Sequence, residues 1–94
     1  MALYELHPFT DSEIAAAPEE AGVYVLFQVE TPLHVDGAPN LRQRLISEKA
    51  RVPQATHFAV ETGHKSERDR AKRVEQLKQE LSRVRVGWFA GPVR

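Results

Sequence analysis

The chain has 94 residues, 41% of them hydrophobic, with no cysteine and a formal net charge of zero. That length suits one small domain, and that apolar share suits a folded chain rather than a disordered one. The lack of cysteine excludes disulfides, thiolate metal sites and cysteine nucleophiles.

The zero net charge conceals a polarity. Residues 1–41 hold no Lys or Arg and seven acids, whereas residues 42–94 hold all 13 basic residues and only six acids. The halves therefore carry about −7 and +7. Such asymmetry is the mark of a basic face for an anionic partner, or of two halves that neutralise each other. The first residues, MALYELHPFTD, lack the basic and apolar regions of a signal peptide. No segment approaches the roughly 20 apolar residues that span a membrane. The expectation is a cytoplasmic protein with no membrane association.

In chain order, Thr10 and Glu13 suit the two ends of a capping box, with Phe9 as a staple before it. A short helix then runs to Ala17 and stops at Pro18. GVYVLFQV at 22–29 is rich in β-branched and aromatic residues and reads as a strand. A turn at 30–32 leads to a short second strand at 33–35, antiparallel to the first. DGAP at 36–39 breaks it.

Asn40 reads as an N-cap, and Leu41, Leu45 and Ile46 form an apolar stripe, predicting a helix over 41–51 ended by Pro53. THFAVE at 56–61 is a third strand, with Phe58 and Val60 on one face. Ser66 and Asp69 suggest a further cap. Ala71, Val74, Leu77, Leu81 and Val84 then predict a long amphipathic helix over 67–83. The tail VGWFAGPVR reads as a short strand or packed extension, and MALYELH as another strand. The chain is taken as a single domain over 1–94. Its hairpin, helical crossover and third strand imply a small three-stranded α/β sheet, mixed or antiparallel, flanked by helices.

GVY at 22–24, HVD at 34–36 and NLRQRL at 40–45, in this order and spacing, resemble the motifs of the GIY-YIG endonuclease domain. The resemblance covers roughly residues 18–82. It implies a small α/β fold and metal-assisted hydrolysis of a phosphodiester. In that chemistry a tyrosine or metal-bound water makes the nucleophile, an arginine neutralises phosphate, and a glutamate holds one divalent ion, usually Mg²⁺. Charge compensation and an activated water are what phosphoryl transfer needs, and a hard oxygen-ligated ion suits the task.

Carried onto this chain, the resemblance implies Tyr24, His34 and Arg44 as catalytic residues and Glu75 as the metal carboxylate. Arg70 and Glu80 stay open as neighbours of Glu75 within a turn. Arg42, Lys49 and Arg51 are the candidate nucleic-acid contacts. The departures are His34 in place of a tyrosine and Asp36 in place of a glycine. A histidine can serve as a general base near neutral pH. A carboxylate at 36 repels phosphate unless it binds a metal.

Each candidate also has an ordinary structural role. Tyr24 suits a core aromatic, His34 a surface histidine and Asp36–Gly37 a turn pair. The arginines and Glu75 suit solvated helix faces, and Trp88 and Phe89 suit core or interface anchors. His57 and His64 lack zinc-ligand spacing. No phosphate-binding glycine loop and no nucleophile elbow is present.

The sequence therefore implies a divergent GIY-YIG-like domain. It is expected to be a nucleic-acid-associated binding module with weak or no nuclease activity. The alternatives are an active Mg²⁺-dependent endonuclease and a protein-interaction domain. DNA or a DNA-processing protein is the expected partner.

Overall fold

The computed structural model describes residues 5–84. Trp88, Phe89 and the rest of the predicted tail segment lie outside them, as do the first four residues of MALYELH. The elements are β1 (His7–Pro8), α1 (Asp11–Ala15), β2 (Gly22–Gln28), β3 (Thr31–Ala38), α2 (Leu41–Arg51), β4 (His57–Thr62) and α3 (Glu67–Val84).

The strands form one sheet in the order β1-β4-β2-β3, with every neighbouring pair antiparallel. This corrects the expected three strands to four. The fourth is the two-residue β1, where His7 and Pro8 pair with Phe58 and His57. So short a strand has no periodicity of its own and is defined by its partner.

The sheet is the middle of three layers. Leu41 and Leu45 of α2, with Phe9 and Ile14, pack on one face against Tyr24, Leu26 and Phe58. Val74, Leu77 and Leu81 of α3 pack on the other against Val23, Val25, Val35 and Ala59. Both faces of β2 are therefore buried, which is why GVYVLF is a continuous apolar run rather than an alternating one.

The helix starts match their caps. The Thr10 hydroxyl accepts from the Glu13 amide at 3.3 Å, the Asn40 side chain from Gln43 at 3.1 Å, and the Ser66 hydroxyl from Asp69 at 3.0 Å. On α2 the predicted stripe needs revision. Ile46 is 54% exposed, while Glu48 is 2% exposed. Positions 41, 45 and 48 are spaced by one and two helical turns and share a face, whereas 46 is rotated about 100° from 45.

β3 is longer than expected and carries a bulge. Leu26 pairs with His34 but Phe27 pairs with Pro32, so Leu33 is the extra residue. Leu33 packs with the core on the α2 side. His34, opposite Leu26, shares that side, so two consecutive residues face the same layer. The hairpin turns at Val29–Glu30, where Val29 has φ +58°.

Candidate active site

Three elements bring the site together. Tyr24 comes from the central strand, His34 from the bulged edge strand, and Arg44 and Glu48 from successive turns of α2. Tyr24 is wholly buried, and its hydroxyl donates to Glu48 Oε2 at 2.5 Å. Arg51 Nε pairs with the other oxygen, Oε1, at 2.9 Å. His34 Nε2 lies 3.4 Å from Glu48 Oε2, and the two rings of Tyr24 and His34 are tilted at 6.0 Å between centroids. That His34 nitrogen is sealed from solvent and makes no hydrogen bond among the described residues.

Glu48 is thus the hub, and the motif comparison does not single it out. A signal was present: an acid on the apolar stripe of α2, in phase with Leu41 and Leu45. A charged residue on a buried stripe requires partners, because its desolvation is costly.

Arg44 faces the same cluster from its rim. Its Nη1 lies 3.4 Å from Asp36 Oδ2 and donates to the Gly37 carbonyl at 3.3 Å. Its guanidinium stands beside the Tyr24 hydroxyl, which is the chief reason its pKa is raised above the ordinary arginine value; burial opposes this, and Asp36 and Glu48 add to it. Tyr24 is also shifted upward, first by burial and then by the hydrogen bond to Glu48, with Arg44 acting in the opposite sense. At neutral pH Tyr24 is therefore a neutral hydrogen-bond donor, and the proton acceptor next to it is Glu48.

Glu75 is not in this cluster. It lies on α3, pairs with Lys78 at 3.8 Å, and lines a groove of about 390 Å³ together with Arg44, Asp36, Glu67 and Arg70. Arg44 is the link between the buried cluster and that groove. Of the alternatives to Glu75, Arg70 donates to the carbonyls of His64 and Lys65, and Glu80 pairs with Arg73. Gly37 lets β3 approach α3 here, since a Cβ on it would meet Arg70 Cβ at 2.9 Å.

The remaining α2 cations face elsewhere. Arg42 bonds the Ala17 carbonyl and Glu19, and Lys49 stands over the Phe9 ring at 5.6 Å. No three His, Cys, Asp or Glu side chains among the described residues converge as a metal-holding group. The oxygen donors in the groove fit a largely hydrated hard cation held by one carboxylate, not a cage of several.

No protein-family model and no curated protein sequence matches the chain. Solved structures do match. Three point mutants of the GIY-YIG N-terminal endonuclease domain of UvrC from Thermotoga maritima, each bound to its catalytic divalent cation, align with TM-scores of 0.61, 0.62 and 0.61. They are 24%, 23% and 27% identical, over 74% of this chain and 86% of theirs. The chain has the GIY-YIG endonuclease-domain fold. On this GIY-YIG scaffold the α2 face of the hairpin and the start of α2 carry Tyr24, His34 and Arg44, with Glu48 buried at their centre.

Proposed function

We propose that this GIY-YIG-like domain is a nucleic-acid-associated binding module with weak or no nuclease activity. The observation that carries the weak-or-absent nuclease activity is the engagement of Arg44. The cation that a phosphate would need is held between Asp36 and the Gly37 carbonyl. The Tyr24 hydroxyl is likewise committed, to Glu48 rather than to the groove. Nucleic-acid affinity rests largely on phosphate neutralisation, so such pairing lowers it and leaves a salt-sensitive contact. The test is fluorescence anisotropy on single-stranded, duplex and branched DNA over a salt series. Binding that weakens steeply with salt supports the module; the absence of binding to all three rejects it.

A second reading is an active Mg²⁺-dependent endonuclease, and the convergence of Tyr24, His34 and Arg44 favours it. Arg44 would compensate phosphate charge, and His34 would take a proton from water through Nδ1, since its Nε2 is sealed beside Glu48. Glu75, which lines the same groove as Arg44, would hold the ion. Bound there, the ion would polarise the phosphodiester and lower the pKa of a water. A protein-interaction domain is favoured instead by the pairing of Arg42 with Glu19 and of Arg73 with Glu61.

A further inference from the structure

We propose that Asp36 is a built-in competitor for phosphate at Arg44, so the groove takes an anionic backbone only by displacing its own carboxylate. This rests on the reading above and names the residue that sets its affinity. Asp36 lies opposite Tyr24 in the β2–β3 ladder, so its side chain rises on the face that carries the site. One of its oxygens accepts from the Gly37 amide at 2.8 Å, which fixes the carboxylate. The other is 3.4 Å from Arg44 Nη1. Asp36 and Gly37 together hold one guanidinium nitrogen.

A carboxylate and a phosphodiester each present two acceptor oxygens and a single negative charge, and a guanidinium receives either in the same fork geometry. The two therefore compete for one cation. The pair is also loosely held: the side chains of Arg44 and Asp36 are 37% and 52% exposed and line the 390 Å³ groove. An exposed pair is screened and weak, as a releasable contact must be. By contrast, Arg70, the other cation of the groove, is spent on the His64 and Lys65 carbonyls.

The experiment titrates inorganic pyrophosphate onto the full chain labelled with ¹⁵N-arginine, following the Arg44 side-chain signal. It compares wild type, Asp36→Asn and Glu75→Gln, and runs a 20-base-pair duplex in parallel. Asp36→Asn keeps the shape and the Gly37 contact but removes the charge. Glu75→Gln removes one charge from the same groove without touching Arg44. The expected result is pyrophosphate binding about threefold tighter in Asp36→Asn, with a smaller change in Glu75→Gln. Adding Arg44→Ala to Asp36→Asn should abolish the gain. Equal gains in the two single variants, or none in Asp36→Asn, would overturn the proposal. Tighter pyrophosphate with no duplex binding by any variant would uphold the competition at Arg44 and reject the nucleic-acid reading.

Discussion

The Tyr24 hydroxyl and the Glu48 carboxylate meet at 2.5 Å between the central strand and α2, both cut off from solvent. Removing the hydroxyl leaves a buried carboxylate with one donor fewer. Tyr24→Phe should therefore cost about 1–3 kcal/mol, read from the urea midpoint at pH 7.

The same pair makes stability depend on alkaline pH. The hydroxyl's pKa is raised on folding, so the folded state keeps its proton where the unfolded state has lost it. The contribution is whole below about pH 10, the unfolded tyrosine value, and is lost as pH rises from there toward the higher folded value. Denaturation curves between pH 8 and 11 should show stability falling at the alkaline end in wild type. Tyr24→Phe should lack that component. Parallel profiles for the two proteins would contradict it.

Glu48 should behave as a buried charge with dedicated partners. Glu48→Ala leaves Tyr24 and His34 facing a cavity and should cost about 3 kcal/mol or more. Glu48→Leu combined with Tyr24→Phe removes donor and acceptor together and fills the space. The double variant should recover most of the loss, giving a coupling of roughly 1–3 kcal/mol in a double-mutant cycle.

Two glycines sit where an added Cβ would meet a neighbour under 3.0 Å away, Gly22 more severely than Gly37. A Cβ on Gly22 would run into the Glu61 backbone carbonyl of the neighbouring strand, which cannot yield without breaking the β2–β4 ladder. A Cβ on Gly37 meets Arg70 Cβ at 2.9 Å, an atom carried on the α3 backbone, so strand and helix must part slightly. Gly22→Ala should cost about 3 kcal/mol or more, and Gly37→Ala about 1–2, by thermal unfolding. The order of the two is the sharper test.

Val29 should be replaceable with profit. A β-branched residue at φ +58° is strained, and its side chain is 63% exposed and contributes little packing. Val29→Gly relieves that strain while loosening the unfolded chain. The net gain should be about 0.5–1 kcal/mol, seen as a higher midpoint in urea.

Most of the scaffold was legible because its signals are local. Thr10, Asn40 and Ser66 cap where their side chains suggest, and Pro18 and Pro53 follow the helices they close. What was hidden depends on tertiary pairing. β1 meets the expected strand MALYELH only at His7, and its place is set by pairing with β4. The bulge at Leu33, which turns His34 toward α2, has no local mark in TPLHVDG. Ile46 is apolar and Glu48 charged, yet helical phase puts Ile46 at the surface and Glu48 on the buried stripe. The meeting of Tyr24, His34 and Arg44 rests on the motif order; their hub follows from nothing short of the packed structure.

The most direct measurement is a cleavage assay on single-stranded, duplex and branched DNA with Mg²⁺ or Mn²⁺, using wild type, Arg44→Ala and Glu75→Ala. A binding module with a weak or silent centre predicts no metal-dependent cleavage above that of the two variants, alongside binding that falls steeply with salt. Cleavage by wild type that requires the metal and is lost in both variants would contradict it.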